Sequence, residues 1–426
     1  MTNDIENSSV FANTIYSAMN INTAHLLNES KTFCMAPWLH LYTTPVGEAF
    51  PCCIAKTKVG YTTTQPVETL INNQPMKQLR LDMLNGVRNA NCQACFSHED
   101  QGIHSFRQQF SYRYGRHINE VLNNTSADGS VQNFKMRYFD IRFSNICNFK
   151  CRTCNSHFST QWEKEDIKRG VPGAKIHGKN NNKELLDSVL AHIPHMEYAY
   201  FAGGEPLITE EHYLLLEEMI KQGRTDIMLV YNSNISSLKF KNKDLLKIWS
   251  KFEKPIEMAA SIDHIGERAE YIRNGTDWGV IETNLLKLKK SPNVNLLVNT
   301  VISAFNYVTL DEVYRFLIDK KIYDPSPGPS YSAYPLSSPE HFNSQILPKE
   351  LKILGRTRNE ALIDYMRSLK YDNRQTGNVK NLLSWTESVD SWEQHKENFK
   401  KEIAILDKFR GEDFVKTFPE LAMMLE

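Results

Sequence analysis

An α/β fold built on a parallel sheet is the class this sequence predicts, with a small cysteine-rich unit before it and a helical tail behind. Three observations predict it. Strand-like and helix-like segments alternate from residue 137 onward at the spacing of β-α-β units. Residues with unusual chemistry fall where those strands end. The eight cysteines form two groups, Cys34, Cys52, Cys53, Cys92 and Cys95 before the alternation and Cys147, Cys151 and Cys154 within it.

In chain order, residues 1–30 are polar, Asn- and Ser-rich, and lack the basic and apolar regions of a signal peptide. Residues 39–43 and 49–53 flank a Pro45-Val46-Gly47 turn, which predicts a hairpin that brings Cys34 and Cys52 together. Residues 76–84 have helical spacing and stop at Asn85-Gly86, before the knuckle Cys92-Gln-Ala-Cys95. Cys53 reads as a buried neighbour of this group or as a substitute for Cys52. Residues 107–116 interleave basic and aromatic side chains, a pattern that can touch nucleic acid but more commonly packs two domains together.

The core begins with the alternating stretch 137–144, which leads into Cys147-Asn-Phe-Lys-Cys151-Arg-Thr-Cys154. A polar loop from Gly170 to Asn182 follows. The next strand, 198–202, runs into Gly203-Gly204-Glu205-Pro206. Thr209 then caps a helix with Glu210 and Glu211 in its first turn and a stop at Gly223. Strands are predicted at 227–231 (ending in Asn232-Ser-Asn234), 256–261 (leading to Ile262-Asp263), 294–301 and 331–336, with a basic helix at 244–252. Residues 347–426 read as amphipathic helix that covers the sheet or its open end, with Trp385, Trp392 and Phe399 as anchors.

Composition excludes several classes. Of 426 residues, 41% are hydrophobic, enough for a real core, and Lys plus Arg balance Asp plus Glu at 50 each. That balance gives no general attraction to nucleic acid or an anionic membrane. No apolar run reaches membrane-spanning length. The expectation is a cytoplasmic protein, and in a reducing compartment clustered cysteines argue for metal ligation.

A loop with the spacing C-x3-C-x2-C can hold three irons of a 4Fe-4S cluster and leave the fourth without a protein ligand. With the Gly-Gly-Glu-Pro turn after the next strand, it resembles the radical S-adenosylmethionine (radical SAM) superfamily. The resemblance implies a partial (β/α)6 TIM-like barrel, the C-terminal ends of its strands carrying the chemistry. It implies that the open iron binds S-adenosylmethionine and that Gly203, Gly204, Glu205 and Pro206 contact its amino group. Ser261 and Asp263 become candidates for the ribose and carboxylate, and Arg273 for the methionine carboxylate, with Asn232 and Asn234 weaker. The family usually has an aromatic residue before the third cysteine; Thr153 stands there, so adenine packing falls to Phe149 or a later strand. Zinc with His157 as fourth ligand, or three buried core thiols, are the other readings of these cysteines.

Cys34, Gly47, Cys52, Cys92 and Cys95 resemble the pattern of SPASM auxiliary-cluster domains in the shortened form called twitch. That resemblance implies one auxiliary 4Fe-4S cluster held by Cys34, Cys52, Cys92 and Cys95; a zinc ribbon on the same thiols is the alternative. In better-known enzymes this domain follows the core, whereas here it precedes it. Radical SAM proteins of phage and marine bacterial genomes look similar throughout. The implied organisation is a polar segment 1–30, an auxiliary domain 31–110, a radical SAM core 111–346 and a helical extension 347–426. The implied activity is oxidation or modification of a peptide or small molecule, with the auxiliary cluster as electron relay and an electron donor such as flavodoxin or ferredoxin. An RNA-modifying enzyme and a non-catalytic zinc or iron-sulfur scaffold are the alternatives.

Overall fold

The computed structural model describes residues 21–175, 182–326 and 331–426. Strands β1 (His40–Thr43), β2 (Glu48–Phe50) and β3 (Gly60–Tyr61) precede β4 (Tyr138–Asp140), β5 (Tyr198–Phe201) and β6 (Met228–Ser233). A small hairpin of β7 (Lys239–Phe240) and β8 (Lys243–Asp244) stands apart, and β9 (Ile256–Ser261), β10 (Val294–Ile302) and β11 (Tyr331–Pro335) complete the set. Nine of these form one sheet in the order β11-β10-β9-β6-β5-β4-β1-β2-β3.

From β4 to β11 all neighbours in that sheet are parallel. Parallel neighbours need crossovers, and these are supplied by helices such as Glu210–Lys221, Trp278–Lys290 and Leu310–Asp319. Alternation then decides the two faces. Leu41, Phe139, Ala199, Leu229, Met258 and Val298 turn to a fully buried side, where the crossover helices pack. Tyr42, Asp140, Tyr200, Asn232, Ser261 and Asn299 turn to the other side, and most are half-buried.

The cysteine-rich segment is continuous with this sheet. Strand β1 pairs in parallel with β4 through His40↔Tyr138 and Tyr42↔Asp140, and β2 and β3 continue as antiparallel neighbours. His40 stacks on Tyr138 and lies against Phe110, sealing the seam. Helix Gln74–Leu84, capped by Asn73, carries Arg80 into the interior. There its guanidinium donates to the carbonyls of Pro37, Ile71 and Gly129.

Several expected elements are shorter or differently ended. The first core strand stops at Asp140, because the backbone N–H of Arg142 donates to Thr43 Oγ1 and the chain turns into the cysteine loop. The helix expected over 244–252 covers Leu245–Trp249, with Asp244 capping Lys247. Thr209 precedes its helix without capping it; its hydroxyl donates back to the Pro206 carbonyl. The expected polar segment and the polar loop fall partly on residues 1–20 and 176–181, outside the described residues.

The tail forms helices Lys349–Ser368, Asn373–Glu387 and Trp392–Arg410. Phe399 is fully buried among Phe305, Phe342 and Phe414, whereas Trp385 and Trp392 are half-buried. Helix Lys349–Ser368 lies so close to the core that a Cβ on Gly355 would come within 2.3 Å of the Tyr307 ring. No helix among the described residues is long and apolar enough to cross a membrane.

Candidate metal and cofactor centre

The loop between β4 and helix Thr160–Arg169 carries Cys147, Cys151 and Cys154. Its shape is set by backbone bonds: Cys154 N–H donates to the Cys151 carbonyl, and Lys150 and Arg152 N–H donate to Asn274 and Ile272. Ser159 caps the following helix while donating to the Phe149 carbonyl. The turn after β5 comes equally close, for Glu205 N–H donates to the Ile146 carbonyl at 2.8 Å. Gly204 has φ +57°, and a Cβ there would lie 2.4 Å from the Ile146 oxygen, so only glycine fits.

These pieces line an open cavity of about 290 Å³ at the C-terminal ends of the parallel strands, the end at which open α/β sheets bind ligands. The three thiols line it together with Phe149, Gly203, Gly204, Glu205, Ser261 and Arg273, and with Asn232, Asn234 and Thr153. Pro206 and Asp263 do not reach it. Asp263 is buried behind Arg273, accepting from its Nη1 at 3.0 Å and from Val301 N–H at 2.9 Å, so it aims the guanidinium. His157 is not among the lining side chains.

Glu205 is fully buried. It accepts from Leu207 N–H, Ser233 Oγ and Asn234 N–H at 2.6–3.0 Å, so its carboxylate ties the Gly-Gly turn to the end of β6. Burial pushes its pKa up despite these donors. Burial also raises all three thiols, reinforced by Cys151 at Cys147 and Cys154; Cys154 reaches about 12. Burial opposes the charge of Arg273, yet Cys151 and Asp263 hold its pKa above the ordinary arginine value. Thiols that ionise only with difficulty alone and a captive cation beside them suit an electron-poor metal group. The Arg273 Nε is buried with no acceptor, which suits an anionic ligand close by.

The far end of the chain braces this loop from outside. Arg152, fully buried between the second and third cysteines, pairs with both Asp407 and Glu412 and lies 3.7 Å from the Tyr271 ring centre. Asp407 also accepts from Tyr271 OH, and Glu412 from Asn274 Nδ2. Arg410 pairs with Glu165 and lies over Trp162, whose indole N–H donates to the Cys151 carbonyl.

The second thiol group lines a separate, much smaller cavity with Cys34, Cys52, Cys92 and Cys95 around it. Apart from Asn91 and Arg107 the rest of its wall is apolar, including Pro37, Leu79, Met83 and Phe106. Arg107 is the one cation in the wall. Its guanidinium is locked by Glu99 and by the Phe33 and Ser30 carbonyls. Burial raises Cys92 to about 12 and pushes Cys34 and Cys52 up as well. Four thiols around one largely apolar pocket fit a cluster with a full set of protein ligands. Cys53 is exposed and outside that wall, contrary to the expected buried neighbour. It follows Cys52 directly where the chain bends and turns, and only Cys52 lines the wall. Among the described residues no three His, Cys, Asp or Glu converge as ligands of one metal ion do; the thiols surround cavities.

The basic-aromatic stretch forms helix Phe106–Tyr114, whose Arg107, Phe110 and Tyr114 face inward. Sequence reasoning missed Arg107 as a cavity residue, the Arg152 brace, and the Asp140–Arg142 pair. The last had a signal: two charges two positions apart in the stretch 138–143, whose other residues are apolar or aromatic.

Residues 34–96 match the family model of SPASM, an iron-sulfur cluster-binding domain. No curated protein matches the chain. Among solved structures, native anSMEcpe with bound AdoMet is similar at 18% identity and TM-score 0.37, over 52% of this chain and 58% of that one. Streptococcus suis SuiB bound to S-adenosylmethionine is similar at 14% identity and TM-score 0.34, over 70% and 63%. The chain thus spans less than two thirds of either protein.

Proposed function

We propose that this chain is a radical SAM enzyme carrying an auxiliary iron-sulfur cluster of the twitch form. One observation carries the reading: the three thiols of C-x3-C-x2-C share a strand-end cavity with the Gly203-Gly204-Glu205 turn and an Asp263-aimed Arg273. The six parallel strands β4 to β11 then correspond to a partial (β/α)6 barrel, preceded by the auxiliary region 31–110 and followed by the extension 347–426.

In this reading Cys147, Cys151 and Cys154 hold the core cluster, and Cys34, Cys52, Cys92 and Cys95 the auxiliary one. When bound, a reduced core cluster with S-adenosylmethionine supplies a 5′-deoxyadenosyl radical. The chain's own work is binding and positioning. Arg273 takes the methionine carboxylate, Gly203 and Gly204 admit its amino group, and Glu205 fixes the turn that presents them. The cavity walls exclude water from the reacting atoms. With four protein ligands the auxiliary cluster serves as electron relay, which suits oxidation of a peptide or small molecule, an assignment by analogy with SPASM proteins. A flavodoxin or ferredoxin supplies the electrons.

The test is 5′-deoxyadenosine release by anaerobically reconstituted, dithionite-reduced protein, with Cys151→Ala alongside. Release that the variant abolishes is the expected result. No release at full iron and sulfide load overturns the enzyme reading in favour of a scaffold, and zinc without sulfide does the same.

A further inference from the structure

The buried arginines of this protein share one habit. Arg80, Arg107, Arg152, Arg273 and Arg410 each spend at least one terminal guanidinium nitrogen on a protein carbonyl or carboxylate. Arg142 departs from it. Its side chain is 15% exposed, yet its only guanidinium bond among the described residues runs from Nε to Asp140 Oδ1, at a long 3.4 Å. Both terminal nitrogens are left without a protein acceptor.

This arginine is nevertheless held firmly. The guanidinium lies 4.8 Å from the Tyr42 ring centre, a cation-π contact. Its stem packs so tightly on Gly203 that a Cβ there would lie 2.4 Å from Arg142 Cδ, with Pro45 closing the other side. It lines the cavity of the three thiols. Arg273 lines the same cavity from the loop after β9, so two aimed guanidiniums share it.

The surroundings favour an acceptor ligand. Asn299 Nδ2 donates to Asn232 Oδ1, and Asn232 Nδ2 donates to Tyr200 OH at 2.6 Å, which leaves the Tyr200 hydroxyl proton to be donated elsewhere. Tyr200 also lines the cavity. Asp140 neutralises Arg142 only in part, since burial lifts its pKa to about 7 and its Oδ2 has no partner.

We infer that Arg142, with the Tyr200 hydroxyl, forms a second carboxylate site in this cavity, which receives a carboxylate of the substrate while Arg273 receives that of the cofactor. The inference rests on the proposed radical SAM reading and adds the substrate's chemical class. A planar fork whose two terminal nitrogens are free matches a carboxylate in a bidentate grip.

The experiment is anaerobic phenylglyoxal modification of the reconstituted full-length protein, with modified arginines located by mass spectrometry. Arg142 is expected to react before the other buried arginines. A tripeptide centred on Glu and blocked at both ends should slow its modification about tenfold, the worth of one charge-assisted contact, whereas its Gln counterpart should not. S-adenosylmethionine alone should leave Arg142 reactive, and Arg142→Gln should keep its affinity for S-adenosylmethionine. Equal effects of acids and amides overturn the inference. Protection by S-adenosylmethionine alone, or its loss of affinity in Arg142→Gln, also overturns it by giving the site to the cofactor. Failure of the radical SAM reading is separately visible as absent 5′-deoxyadenosine release from unmodified protein.

Discussion

The two thiol sites solve the same problem with different means. The auxiliary site is assembled from one stretch of chain, residues 34–107, and its cavity is small and walled by apolar side chains. The core site opens at the strand ends into a much larger cavity with many polar groups in its wall. Its loop is closed from outside by residues 255 and 260 positions away. A site that must admit a cofactor cannot pack itself shut from within, so its rigidity is imported. Each keeps one immobilised arginine beside its thiols, Arg107 or Arg273, which suits the anionic charge of ligated thiolates.

The largest effect should come from cutting that imported brace. Asp407→Asn with Glu412→Gln leaves Arg152 buried without a counter-charge, a change that costs about 3–5 kcal/mol. The cost falls on the core loop and the segments that brace it, Tyr271, Asn274 and Phe414, and not on the auxiliary site. Iron per chain should drop from about eight to about four, with the auxiliary cluster retained. Iron and sulfide assays with electron paramagnetic resonance check this. Full iron content in the double variant would show that the core loop stands without the tail and erase the contrast.

How much of this was legible in the sequence follows the same division. The cysteine spacings, the Gly-Gly-Glu-Pro turn, the hairpin around Pro45-Val46-Gly47 and the order of the strands are local patterns, and each had a local signal. Strand β1 as a parallel neighbour of β4 had none, because its pairing partner lies about a hundred residues away and a four-residue strand does not name its neighbour. Arg152 reads as an ordinary loop cation until Asp407 and Glu412 are folded against it. Asp263 was expected to touch ligand, and it lies one layer behind, since sequence places a residue at a strand end but does not say which side chain is frontmost. Thr209 shows the opposite limit: a good capping residue in the capping position, whose hydroxyl found a nearer carbonyl.

A smaller effect separates the halves by pH. Burial lowers His212 and His264 in the core to about 3, and His40 at the β1–β4 seam to about 4. His264 is fixed as the neutral form, since Nδ1 accepts from Ile265 N–H and Nε2 donates to Thr309. Above the unfolded histidine pKa of about 6.5 both states are neutral and stability is flat. Below it the unfolded chain binds protons that the folded chain refuses, so stability falls with pH until the folded values are reached. Each histidine contributes about 1.4 kcal/mol per pH unit in that window. Asp140, raised to about 7 by burial, works in the opposite sense. Its folded form holds a proton that the unfolded form releases above its own lower pKa, so one histidine's share is offset. Urea midpoints should therefore decline between pH 6.5 and 5, and His212→Gln should flatten the decline. A midpoint unchanged across that range would mean these rings are hydrated and the interior is looser than its packing shows.

The smallest expected effect is the sharpest on ligand identity. Cys52 and Cys53 are adjacent, yet Cys52 lines the four-thiol cavity and Cys53 is exposed, within electrostatic reach of Asp140 and Arg142. Cys53→Ser should leave iron content and the auxiliary cluster's spectrum as they are. Cys52→Ser should remove one protein ligand and lower the auxiliary iron or change its spectrum, with the core cluster intact. Loss of iron in Cys53→Ser would make it the ligand and free Cys52. The auxiliary group would then reach toward the Arg142 side of the larger cavity, and the two sites would no longer be separate compartments.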